Sequence, residues 1–134
     1  MFDLYKIIRT YIPIDAPSGW QWPGSKRRIV EMCPSLSKII YHVQNNDPIG
    51  RVGNYGGVYE IGMGLEGYVP LDFSHPTLGQ KGASEETFSI SLSTYASNDI
   101  SEAIVSDFVE GLADIHPWEH PVIEIVKIHL WVPS

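Results

Sequence analysis

A chain of 134 residues is long enough to bury a core and short enough to be one domain. Apolar residues at 43% and charged residues at 19% are ordinary for a globular protein. A formal net charge of -7 works against nonspecific binding to nucleic acid or to an anionic membrane, so neither is expected as a partner.

The single cysteine, Cys33, excludes an internal disulfide framework and fits a reduced, structural thiol in a cytoplasmic protein. No apolar run approaches the ~20 residues of a membrane span, and the first residues do not read as a signal peptide. The basic cluster Lys26-Arg27-Arg28 reads as a solvated face.

Leu4 to Ile12, rich in β-branched and aromatic residues and stopped by Pro13, predicts the first strand. The segment from Ile14 to Gly24 is a loop that carries Trp20 and Trp22. Its indoles either cover core or offer an aromatic edge to a partner. Ser25 to Met32 can form a short helix, broken by Pro34. In Ser35 to Asn45, the stripe Leu36, Ile39, Ile40 and Val43 predicts an amphipathic helix.

The stretch from Gly50 to Leu71 holds seven of the twelve glycines. Tyr59, Ile61, Met63, Leu65 and Val69 alternate as in a strand. Gly62, Gly64 and Gly67 within it imply a bulge, a bend or a close backbone approach. Entry is through a tight turn at Gly53-Asn54-Tyr55-Gly56-Gly57, where positive φ is expected. After a loop from Asp72 to Ser84, Phe88 to Tyr95 alternates Phe88, Ile90 and Leu92 with three serines. Asp99 followed by Glu102 suggests a helix cap, and Ile104, Val105, Phe108, Val109 and Leu112 give that helix an apolar stripe. The last strand is expected from Val122 to Val132, with Val126, Ile128, Leu130 and Val132 on one face.

The order is β-α-β-β-α-β. It predicts an α+β, ferredoxin-like sandwich: a four-stranded antiparallel sheet with two helices on one face. Ile104, Phe108, Phe88, Ile90 and Leu92 are its expected core. The other sheet face is left open.

Gly50-Arg51-Val52-Gly53-Asn54-Tyr55, Gly62-Met63-Gly64-Leu65-Glu66-Gly67-Tyr68-Val69-Pro70-Leu71 and His75-Pro76-Thr77-Leu78-Gly79 together resemble the YqfO-type domain. Ala113 to Pro121 resembles that domain's His-Pro-Tyr-Glu-Glu motif, with Trp118 and His120 in place of Tyr and Glu. The domain stands alone in small proteins and is inserted in larger dinuclear-metal proteins. The resemblance implies one ferredoxin-like domain over residues 1–134, with an insertion at about residues 14–34. It also implies kinship with the CutA-like and PII-like proteins, which are commonly trimeric. The dinuclear metal centre belongs to another domain and is not carried over, so no cofactor is expected.

Candidate chemistry is sparse. Gly62 to Gly67 fits G-x-G-x-x-G, but strand follows where a dinucleotide site needs a helix. Gly50 to Gly57 lacks the Lys-Ser/Thr of a P-loop, although its amides could bind an anion. Cys33 has no neighbouring base. His116, Glu119 and His120 are the one close set with metal-ligand chemistry. Pro117 and Pro121 argue instead for a corner, with Trp118 turned inward and no metal held. The binding candidates are His116, Glu119, His120, His75, Trp118, Asn54 and Tyr55. Three functions stay open: a small noncatalytic homo-oligomeric module, trimeric before dimeric, that binds a small ligand or protein; a CutA-like divalent-metal protein using His116, Glu119 and His120; and an enzyme with a site between subunits.

Overall fold

The computed structural model describes residues 1–14, 26–72 and 82–133. The elements are β1 (Phe2–Ile14), α1 (Lys26–Met32), α2 (Pro34–Gln44), β2 (Tyr59–Tyr68), β3 (Glu85–Ser97), α3 (Glu102–Ile115) and β4 (Ile123–Trp131). The four strands form one antiparallel sheet in the order β2-β3-β1-β4. This is the predicted α+β ferredoxin-like arrangement, with the short α1 added ahead of α2.

The two-residue period of the strands sorts their side chains cleanly. Ile8, Ile12 and Ile14 of β1 and Ile90, Leu92 and Ala96 of β3 are buried. They meet Leu36, Ile39, Ile40 and Val43 of α2, Val105, Phe108 and Leu112 of α3, Ile29 of α1, and Cys33 between α1 and α2. The helices therefore share one face of the sheet. Pro34 opens α2, where a missing N–H costs nothing. The buried stripe of α2 is the one its spacing predicts.

Several expectations are corrected. Ile104 is 44% exposed, because the buried stripe of α3 is Val105, Phe108 and Leu112 and Ile104 lies beside it. Phe88 is 36% exposed; it pairs with the exposed Leu65 towards the start of β3. The cap of α3 is Ser101 rather than Asp99: the Ser101 Oγ accepts from the Ile104 N–H at 3.3 Å. The glycines of β2 make no bulge, since its pairing with β3 runs unbroken from Tyr59↔Thr94 to Tyr68↔Glu85. Gly62 instead permits a close approach: a Cβ there would lie 2.8 Å from the Ser91 Oγ.

The turn into β2 is as expected. Val52 and Tyr55 exchange backbone hydrogen bonds of 2.9 and 3.0 Å around Gly53-Asn54, and Gly53 and Gly57 have φ of 57° and 60°. At Gly57 the requirement is double, because a Cβ would also press on Gln44 at 3.0 Å. The sheet is closed at one end by β1 and β4, paired as far as Phe2↔Trp131, with the Val132 N–H donating to the Met1 carbonyl at 2.8 Å.

Candidate functional site

With the helices on one side, the opposite sheet face carries the odd residues of β1 and β3 and the even residues of β2 and β4. The antiparallel registers place Glu60, Ser93, Arg9 and Glu124 in one row across all four strands. The Arg9 Nε donates to the Ser93 Oγ at 3.0 Å. Tyr11, one step along β1, lies beside both charges. A hydrogen bond with Glu124 and partial burial hold its phenol above the usual range, and Arg9 opposes the shift. Gly62 and Ser91 continue the polar surface past Tyr11, and the whole forms a shallow depression of about 280 Å³.

Towards the other end the same face turns apolar. Tyr95, Ile7 and Val126 form one row and Tyr5 and Ile128 the next, with Leu130 opposite Asp3 beyond them. Val126, Ile128 and Leu130 do share a face, as the alternation implies, but it is the face away from the helices. Ile123, Ile125, Lys127, His129 and Trp131 are the residues of β4 on the helix side.

No histidine or thiol lines the depression. Glu60, opposite Ser93, is the carboxylate that lines it. Arg9 is held by Ser93 and flanked by acids, so it is a positioned cation within a hydrogen-bonded row.

The residues singled out from sequence are scattered. His116 caps the corner between α3 and β4 and is 8% exposed. Its Nε2 donates to the Tyr11 carbonyl at 2.6 Å, and its Nδ1 accepts the Trp118 N–H at 3.0 Å. That pattern requires the neutral Nε2–H tautomer and leaves neither ring nitrogen open to a metal. Burial lowers its pKa from the ordinary 6.5, a shift partly offset by the Tyr11 carbonyl. Trp118 is half-buried, with its ring tilted against His116 at 5.5 Å between centroids. The side chain of His120 is 91% exposed, with its Nε2 3.6 Å from Glu119. Asn54 and Tyr55 lie on the exposed turn ahead of β2, Tyr55 being 76% exposed. His75, Trp20 and Trp22 lie outside the described residues. Among the described residues no group of three His, Cys, Asp or Glu side chains is arranged to hold a metal ion. Cys33 is buried ahead of α2, and burial raises its thiol pKa.

The sequence reading missed the row through Arg9 and Glu124. Its signal is the alternation of Arg9 and Tyr11 in β1, but only the antiparallel register with β4 brings Glu124 beside them.

No helix among the described residues is long and apolar enough to cross a membrane. Neither a family model nor a curated protein matches the chain. Solved structures do. A Bacillus cereus protein related to NIF3 superposes with a TM-score of 0.63 at 12% identity, over 96% of this chain and 26% of that one. The chain thus spans about a quarter of that relative's length. A periplasmic divalent cation tolerance protein CutA from Archaeoglobus fulgidus gives 0.55 at 9% identity, covering 92% of this chain and 83% of that one. A divalent ion tolerance protein CutA1 from Ehrlichia chaffeensis gives 0.54 at 13% identity, covering 100% and 87%. The chain has the ferredoxin-like fold of the CutA proteins, which is also the fold of the matching part of the NIF3-related protein.

Proposed function

We propose that this chain is a small noncatalytic binding module that works as a homo-oligomer, assembled through the sheet face opposite the helices. The observation that carries this reading is that face itself. Its apolar rows of Ile7, Val126 and Ile128 adjoin a positioned Arg9-Glu124 pair, and no described helix covers them. Contiguous apolar surface rimmed by polar residues marks an interaction site, and a face bearing both charges can meet a neighbouring copy with opposite charges opposed. A trimer is preferred to a dimer by resemblance to the CutA-like proteins. A cytoplasmic location fits the lone buried thiol of Cys33.

Light scattering over a concentration range tests the assembly. We expect a particle about three times the 15.0 kDa chain mass. Val126→Glu, which places a charge on the 40%-exposed centre of the apolar rows, should shift it to the monomer. A 15.0 kDa particle at every concentration overturns the proposal.

A second reading, divalent-cation tolerance, is favoured by the CutA structures among those that superpose. His120 and Glu119 are the described residues of the expected set with outward side chains, and His116 is committed to the backbone. A zinc and copper titration tests this reading. Stoichiometric binding lost on His120→Ala would support it, and no binding would remove it.

A further inference from the structure

On the helix side of the sheet, α3 does not reach across β4. The uncovered strip is a groove of about 380 Å³ lined by Val105 and Val109 of α3, Ile125 and Lys127 of β4, Glu102 and Lys6. Lys6 is the unusual member. It sits on the sheet face that carries the core, between Ala96 and Lys127 in register, and only 9% of it is exposed. Among the described residues its side chain makes no hydrogen bond or ion pair, and neither do those of Lys127 and Glu102.

Two lysines directly opposite each other on one sheet face repel. The stem of Lys6 is buried beside apolar side chains, and no described side-chain nitrogen is both buried and without a partner, so its ammonium reaches the groove. A bound anion between them removes that repulsion. Glu102 reduces the local charge at neutral pH to one net positive, which matches a singly charged group better than a dianion. The chain as a whole carries -7, so long-range attraction does not favour anions and the groove must hold one by local contacts. Val105, Val109 and Ile125 supply those contacts for an aliphatic body.

We propose that the groove between α3 and β4 binds a small aliphatic monocarboxylate, its carboxylate between Lys6 and Lys127 and its hydrocarbon on Val105, Val109 and Ile125. This rests on the reading of the chain as a binding module, and it is independent of assembly through the other sheet face.

The test is an NMR titration of the intact protein with octanoate, with octanol, acetate and inorganic phosphate as parallel arms. Octanoate should give saturable shifts at the amides of Val105, Val109 and Ile125. Octanol and acetate should each bind about tenfold more weakly or worse, since each lacks one half of the recognition. Lys127→Gln should weaken octanoate about tenfold, and Lys127→Arg should retain it. Lys6→Met should abolish it; if that variant fails to fold, the exposed Lys127 pair of variants decides alone. Absence of saturable shifts, equal affinity for octanol, acetate or phosphate, or indifference to Lys127→Gln overturns the site. Light scattering on the same samples separates the two proposals. An oligomer that ignores octanoate loses only the ligand, and a monomer that binds it loses only the assembly.

Discussion

His116 shows how a residue suited to metal chemistry is used as a structural wedge. Both ring nitrogens are spent on backbone groups, joining the corner after α3 to β1. Removing it strands the Tyr11 carbonyl and the Trp118 N–H. His116→Ala should therefore destabilise the fold by ~1–3 kcal/mol in urea denaturation. The pH dependence has a definite sign. The folded pKa is below the unfolded value of 6.5, so the unfolded chain binds the extra proton. The contribution is complete above about pH 6.5 and falls as pH drops towards the folded pKa. The gap in melting temperature between wild type and His116→Gln should accordingly narrow on going from neutral to mildly acid buffer. A gap that widens instead would mean the ring is charged in the folded state.

Gly111 gives a second residue-scale test with an unusual sign. Gly→Ala inside a helix normally stabilises by up to ~1 kcal/mol. Here a Cβ would come within 2.6 Å of the His42 ring. That ring cannot swing away without loss. It stacks on Phe108 at 4.6 Å, its Nε2 donates to the Phe108 carbonyl at 2.8 Å, and its Nδ1 lies 3.1 Å from the Asn46 amide nitrogen. Gly111→Ala should destabilise by ~1–3 kcal/mol through overpacking. Gly56→Ala, at a position with open space around it, should be near neutral.

At the scale of elements, α3 depends on its cap. Ser101→Ala should cost ~1 kcal/mol in chemical denaturation, and Asp99→Ala little, because the hydroxyl of Ser101 satisfies an orphan N–H of the first turn. The distinction was not legible in the sequence, since Asp99 and Ser101 are both good caps and both precede the apolar stripe. Other features were legible. The stripe in α2 and the alternation around Ile90 and Leu92 state their period and their buried side without ambiguity. β4 does not, because it is apolar on both faces: Val126 and Ile128 on one, Ile123 and Ile125 on the other. Periodicity identifies such a strand and is silent on which side meets the helices. Ile104 failed for a related reason. A helical stripe read at i, i+1, i+4 and i+5 is wider than the surface that the sheet covers. The candidate sites were least legible, since the pairs Arg9–Glu124 and Lys6–Lys127 exist only once β1 and β4 are in register.

At the scale of the whole molecule, the sheet has two sides with different work. One is filled by three helices and carries nearly all the fully buried side chains. The other is a strip of serines, a cross-strand row of charges and an apolar end. Charge substitutions on the second side should alter association more than folding. On the proposed assembly, Val126→Glu should keep a helix-and-sheet circular dichroism spectrum while the particle falls to the monomer, whereas a charge at Ile90, which is 0% exposed, should unfold the chain. The pairing of β1 with β4 has a further consequence for how this fold can be wired. Their outer ends are joined through Met1 and Val132, so the first and last strands lie side by side. A short linker could splice those ends, and new ones could be opened at the exposed Gly53-Asn54 turn. Such a circular permutant should fold with the parent's spectrum and cooperative melting. By the same geometry, a host protein could carry the whole unit on a single surface loop, entering on one strand and leaving on its neighbour with little disturbance to its own backbone.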